Sequence, residues 1–392
     1  MSHGREIYAD HAATTRPAPE VVEAMRPYLD ERFGNASSVH GRGEAAREAI
    51  EIARDQVADL VAAAPEEVVF TASGSEANNL ALQGILANAS PPRVRLVVSA
   101  IEHPSVIETA RHLATRGVPV TIVPVDREGI VDPDRLEAAL GPDVALVSVM
   151  WVNNETGVIQ PIEAIGERVR RSGARFHVDA VQAVGKLPVG FSDLPCDLLS
   201  LAGHKFYGPL GAAALIVRRR TRLVPLVHGG HQERSRRAGT ENLPAIVGLG
   251  AAASRAATRL AVGERPGEAL GDRLLAGLES EIGVTLNGHR ERRLTSVVNV
   301  AFGGVDGEAM LHELDLAGIT VSTGSACSAA STGPSHVLLA MGRTPEEAHA
   351  SVRFSLGDGL DEADVDTIVR ETRSAMARLN ALSHPAPRER SA

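Results

Sequence analysis

Lysine is almost missing from this chain. Of 40 Lys and Arg residues among 392, only Lys186 and Lys205 are lysines. A guanidinium stays protonated and cannot condense with a carbonyl, whereas an amine can be tuned to do so. Any covalent lysine chemistry therefore falls on one of two positions. Cysteine is as scarce, with Cys196 and Cys327 alone; that argues against a disulfide framework and leaves thiol chemistry as the use for a cysteine in a reducing compartment. No apolar run is long enough to span a bilayer, and the opening MSHGREIYAD lacks a signal peptide's apolar core. These absences predict a cytoplasmic protein with no membrane partner. A net charge of −9 leaves no overall basic surface for direct contact with nucleic acid. The local clusters at Arg218–Arg222 and Arg234–Arg237 read first as solubilising charge.

What is present is a globular composition, 44% apolar, in a chain longer than one typical core. Apolar runs of strand length at 68–70, 94–99, 118–123, 144–152, 175–178, 197–201 and 212–217 alternate with helical-period segments. That alternation predicts an α/β fold, a mainly parallel sheet with helices on both faces. Beyond about residue 258 the pattern changes to helices at 266–282, 306–317 and 361–382 with strands near 284–286, 295–302, 319–322 and 351–356. The expected division is a large domain over 16–258, a smaller α+β domain from 1–15 and 259–383, and a frayed tail at 384–392.

The chemistry gathers where predicted strands end. Asp179 closes one apolar run, and His204 and Lys205 follow another in a loop flanked by Gly203, Gly208 and Gly211, where a ligand can approach the backbone closely. Lys186, in VGKLPV, reads as an ordinary surface lysine. TASGSE, Thr71–Glu76, joins a strand to a helix start, and the free amides of Gly74 and Ser75 with the helix dipole suit an anion. His103 in IEHPS can stack on a flat ring or move protons, and Asn154 in WVNNETG offers an amide. Arg353, on a predicted apolar strand, needs a counter-charge, either a carboxylate ligand or an internal ion pair. Cys327 lies in TVSTGSACSAASTGPS, a small-residue stretch whose composition predicts mobility, whereas Cys196 in DLPCDLL suits a buried thiol.

Asp179 with Gln182 three residues on, the GHK at Gly203–Lys205, VNNETG, the EH at Glu102–His103, GTENLP at 239–244 and Cys327 resemble the cysteine desulfurases of the class V aminotransferase group. The resemblance runs from Asp10 to Arg353 and implies a fold-type I pyridoxal phosphate enzyme. It implies that Lys205 forms the Schiff base and that Asp179 keeps the pyridine nitrogen protonated, so the ring can take up electrons. It further implies that His103 stacks on the ring. Gly74, Ser75 and His204 would serve the phosphate, and Gln182 and Asn154 the ring oxygen. Asn35, Asn154 and Arg353 would hold the substrate, L-cysteine. Thr240 would reach the phosphate of a neighbouring subunit, making a homodimer. Cys327 would take the sulfur as a persulfide, release L-alanine and hand the sulfur to an acceptor protein. That acceptor would serve iron–sulfur cluster assembly or nucleic-acid thio-modification, DNA phosphorothioation included. No resident metal is implied, though the persulfide could serve as a transient iron–sulfur ligand. One departure stands out: Ala202 occupies a position where the family commonly has a phosphate-binding serine. A selenocysteine lyase and a non-catalytic assembly partner on the same fold are the alternatives.

Overall fold

The layering follows from one strand. Val144–Met150 reads VALVSVM and is buried at every residue, the pattern of a strand covered by helices on both faces. In the computed structural model, which describes residues 5–323 and 333–383, the first elements are β1 (Ile7–Tyr8), α1 (Pro19–Leu29), α2 (Gly41–Leu60), β2 (Val68–Thr71) and α3 (Gly74–Leu86). There follow β3 (Arg95–Ser99), α4 (Pro104–Thr115), β4 (Val120–Val123), α5 (Pro133–Ala139), β5 (Val144–Met150), α6 (Ile162–Ser172) and β6 (Arg175–Asp179). Next come β7 (Leu198–Ala202), β8 (Ala213–Val217), α7 (Gln232–Ser235) and α8 (Leu243–Ala261). The remainder is α9 (Glu268–Glu281), β9 (Thr285–Leu286), β10 (Val297–Ala301), α10 (Gly307–Leu316), β11 (Ile319–Thr320), β12 (Ser322–Thr323), α11 (His336–Ala340), α12 (Pro345–His349), β13 (Ser351–Ser355) and α13 (Glu362–Ser383).

Seven strands form one sheet in the order β2-β8-β7-β6-β5-β3-β4. Only β8 runs antiparallel to its neighbours, so the sheet is mainly parallel, as expected. Its faces are packed separately. Val97, Val147, Phe176 and Val178 join a core with α2 and α8, while Leu96, Val98 and Leu146 join one with α3 and α4. A further core collects Ile7, Leu274, Val298, Phe302, Met310, Phe354 and Ile368 around the sheet β12-β13-β10-β9. Among the described residues no helix is long and apolar enough to cross a membrane.

Two elements differ from the sequence reading. The expected strand at 319–322 divides: Ile319 and Thr320 pair with Ile7 and Tyr8, whereas Ser322 and Thr323 pair with Arg353 and Val352. The extended chain changes partners at Val321. Helix α1 was not anticipated. Pro19 at the first helical position, Glu20 in the first turn and Arg26 in the last mark its ends, but its N-cap, Ala18, makes no side-chain capping bond and Pro27 interrupts its last turn. Tertiary packing holds it: a Cβ on Gly248 of α8 would lie 2.6 Å from Sδ of Met25.

The segment before α8 is held by one buried ion pair. Arg54 of α2 donates from Nη1 and Nη2 to Glu233 at 2.8 and 2.9 Å, and the amide of Phe70 donates to the same carboxylate at 2.8 Å. Glu233, Arg234 and Ser235 all have left-handed φ angles, 47°, 54° and 62°, a strained run that persists only where surrounding contacts dictate it. Glu233→Ala leaves the two Nη groups of a buried guanidinium without their carboxylate, Nε alone keeping its contact to Glu51 at 3.1 Å, and should lower unfolding free energy by about 3 kcal/mol in urea titration. The double variant Arg54→Met/Glu233→Leu should recover part of that loss; equal losses in both would show that the unpaired charge is not the cause.

Candidate active site

Four parallel strands of the large sheet, β3, β5, β6 and β7, end on one side, and the residues just past their C-termini line a cleft of 770 Å³. This is where open α/β sheets place ligands. Past β3 comes His103, past β5 Asn154, at the end of β6 Asp179 with Gln182 beyond, and past β7 His204 and Lys205. Gly74 and Ser75, at the N-terminus of α3, and Arg353 of β13 complete the lining. The structure thus brings together nine of the residues singled out from sequence.

Asp179 is 4% exposed. Its Oδ1 accepts from the amide of Val181 at 3.0 Å and its Oδ2 from Nδ2 of Asn78 at 2.7 Å. Asn78 also donates to Oγ of Ser105 at 2.9 Å, and Ser105 Oγ lies 2.8 Å from Nδ1 of His103. That nitrogen accepts from the amide of Ser105 at 3.1 Å, so the neutral ring carries its hydrogen on Nε2. Burial lowers the His103 pKa, aided by Lys205 and His336 and opposed by Asp179. Local sequence places the ring: His103 is the N-cap of α4, with Pro104 at the first helical position. Asn78 itself was missed in the sequence. Its signal was an amide on the face of α3 that carries Ala81, Leu82 and Ile85, where a buried polar group needs partners.

Lys205 ends a short 3₁₀ turn after β7, and its Nζ donates to the carbonyls of Ala12 and Ala13 at 2.7 and 2.6 Å. His204 contacts Oγ1 of Thr14 through Nδ1 at 3.1 Å, and burial, with Lys205 and Lys186, pushes it down to about 4. It is neutral at any ordinary pH. Arg353 is 2% exposed; Nη2 meets Asp10 at 2.7 Å and Nη1 donates to the carbonyl of Asn154 at 2.8 Å. Its counter-charge is therefore already present in the fold, from a residue the sequence reading had left out.

Other expectations fall outside the cleft. Asn35 is exposed, and its Oδ1 accepts from the amide of Ser37 at 2.9 Å, an Asx turn rather than a cleft contact. Thr240 is exposed and does not line the cleft. Cys327, Gly324 and the tail at 384–392 lie outside the described residues. Cys196 is buried, and burial pushes its thiol up to about 12. Lys186 is not a surface lysine: its side chain is half-buried and its amine donates to Oε1 of Gln182 at 2.5 Å. The turn chemistry of VGKLPV misled because a residue four positions after Gln182 folds back beneath it.

These residues fit pyridoxal phosphate. A buried carboxylate stands at the end of β6, a neutral imidazole flanks it, and an amine reaches the rim. The N-terminus of α3 offers free amides to an anion, and only glycine fits at 74, where a Cβ would come within 2.9 Å of Val181. Ala202, 1% exposed, puts a methyl where a hydroxyl would otherwise face that anion.

Fold and cleft together define a large α/β enzyme with an amine-bearing pocket at its strand ends. The chain belongs to the class-V aminotransferase family, whose pattern it matches over residues 7–368. It is 43% identical over 380 residues to the cysteine desulfurase IscS of Dictyoglomus turgidum, spanning 97% of this chain and 96% of that protein. A solved NifS-like protein superposes with a TM-score of 0.90 at 34% identity, covering 96% of this chain and 100% of that one. SspA, solved in complex with cysteine, superposes with a TM-score of 0.80 at 37% identity, over 90% of this chain and 99% of that one. Membership of this family implies a pyridoxal phosphate cofactor.

A buried acid adjoins the site. Glu102 is fully enclosed; Oε1 accepts from Ser99 Oγ and the Met150 amide at 2.5 and 2.8 Å, while Oε2 has no partner among the described residues. Burial raises its pKa from 4.5 to about 8, against the pull of those hydrogen bonds. The folded carboxyl keeps its proton across that window while the unfolded one loses it, so this group erodes stability as pH rises through it. Glu102→Gln removes that erosion. Relative to wild type, its unfolding free energy in cofactor-free protein should rise between about pH 5 and about pH 9, by on the order of a few kcal/mol. A difference that does not change with pH would mean Glu102 does not titrate there.

Proposed function

We propose that this protein is a pyridoxal phosphate-dependent cysteine desulfurase that converts L-cysteine to L-alanine and carries the sulfur away on Cys327. The observation that supports it best is the meeting of Lys205, Asp179 and His103 with the α3 N-terminus in one cleft. Pyridoxal phosphate, when bound, supplies a carbonyl for amines and a ring that accepts electrons from an amino acid's α-carbon.

The chain's residues do the rest. Asp179, held by Asn78 and the Val181 amide, presents a carboxylate that would favour a protonated ring nitrogen. The amides of Gly74 and Ser75 would hold the phosphate, and His103 would lie against the ring. Lys205 would be the amine that holds the group and the base that moves a proton at the substrate's α-carbon. Arg353, set by Asp10, is the cation for the substrate carboxylate. The Cys327 thiolate takes the sulfur: the substrate C–S bond breaks, an S–S bond forms at Cys327, and the electron pair and a proton end on the β-carbon as alanine's methyl group. A sulfur-acceptor protein then removes the outer sulfur. The exposed segment around Thr240 reaches a second copy of the chain, giving a homodimer. An acceptor serving iron–sulfur assembly or nucleic-acid thio-modification fits this chemistry equally.

The test uses purified protein with L-cysteine and a thiol reductant. Wild type should show a visible absorbance band that Lys205→Ala lacks. Cys327→Ala should keep the band but lose alanine and sulfide formation by on the order of 100-fold or more. A colourless wild type that cannot be reconstituted, or undiminished turnover in Cys327→Ala, would overturn the assignment.

A further inference from the structure

Lys186 and Lys205, the chain's two lysines, are joined through one amide and one carbonyl. Lys186 Nζ donates to Oε1 of Gln182 at 2.5 Å; Nε2 of Gln182 donates to the carbonyl of Ala12 at 2.8 Å; Lys205 Nζ donates to that same carbonyl at 2.7 Å. Gln182 lines the cleft and is 4% exposed, so Lys186 stands behind the cleft wall.

Chemistry fixes which way the Gln182 amide points. A carbonyl such as that of Ala12 only accepts, and a lysine amine always carries hydrogens to donate. Turning the amide over would set two acceptors face to face at Ala12. One Nε2 hydrogen goes to Ala12, and the other remains for the cleft.

The charge of Lys186 is also unusual. It has no ion-pair partner among the described residues. The charged and titratable groups that act with it are Lys205, Arg353, His204 and His11, none of them an acid. Enclosing an ammonium without a carboxylate is costly, and burial, then Lys205 and Arg353, pushes it down to about 7. An anionic ligand in the cleft would favour the charged form.

We propose that Lys186 is a positioning residue for the cofactor: it locks the Gln182 carboxamide with its NH₂ toward the cleft, matched to a ring oxyanion, and sets a positive charge behind that donor. This rests on the pyridoxal phosphate reading above.

The experiment follows the cofactor-loaded enzyme's visible band as pH is varied. Removing a cation near the chromophore makes it hold its proton more tightly, so Lys186→Met should move the titration midpoint upward by about one pH unit. Lys186→Arg, which keeps donor and charge, should restore the midpoint. In a Gln182→Ala background the same Lys186→Met change should shift the midpoint less, because the amide that Lys186 holds is gone. If Lys186→Met does not fold, Lys186→Gln, a donor without charge, should give an upward shift in its place.

An unmoved midpoint with a normal band overturns the role of Lys186 and leaves the cofactor assignment standing. A shift of equal size with and without Gln182 overturns the positioning role by assigning the effect to charge alone. Absence of any band in the wild type removes the cofactor assignment, and this inference with it.

Discussion

The arrangement depends on a short strap, Asp10–Thr15, that crosses from the core around the sheet β12-β13-β10-β9 to the lysine loop. At one end Ile7 and Tyr8 are paired in β1 and the Asp10 carboxylate meets Arg353. At the other, the amide of Thr15 donates to the carbonyl of His204 at 2.8 Å, and Thr15 Oγ1 accepts from the amide of Tyr207 at 2.7 Å. Between them the carbonyls of Ala12 and Ala13 receive both Gln182 and Lys205. Backbone carbonyls cannot titrate or change rotamer, so they make a fixed seat for an amine whose orientation matters. One hexapeptide thereby sets Arg353, Gln182 and Lys205 together.

Around that seat the fold resolves its buried polar groups by linking them. Asn78 shares one NH₂ between Asp179 and Ser105, so the carboxylate and the imidazole of His103 are oriented by a single side chain. Glu155, in the same loop as Asn154, is raised to about 7 by burial and receives the hydroxyl of Ser335 at 2.5 Å. His336 donates to the carbonyl of Glu102 at 2.9 Å. Two loops at the strand ends thus hold the start of α11, the first helix after the stretch that contains Cys327. Asn78 Oδ1 and Glu102 Oε2 have no hydrogen-bond partner among the described residues, while the bonds that are made each fix a side chain's orientation.

Much of this was legible because parallel sheets write themselves plainly. Continuous apolar runs such as Val144–Met150 need no alternation to be read, and the residues that break each run are the ones the sheet presents to its cleft. Asp179, His103, Asn154 and Lys205 follow from that rule. The misses share a different cause. Asp10, Asn78 and Lys186 act through residues far away in the chain, and nothing local marks them; VGKLPV has surface-turn composition yet folds under Gln182. Asn35 is ambiguous the other way, since an Asx turn, which it makes here, and a ligand contact call for the same side chain. Helix α1 was passed over because Pro27 interrupts its last turn and its support comes from α8.

The placement of the two lysines has a consequence for how the molecule meets reagents. Neither is exposed, so the described exterior bears its positive charge on guanidinium groups and histidines alone. Acylating or reductively alkylating agents find no fully exposed lysine on that exterior. Whatever lysine they modify within the described fold lies along the line that runs from the cleft to the space behind it, so lysine labelling there reports on the cleft and its rear wall.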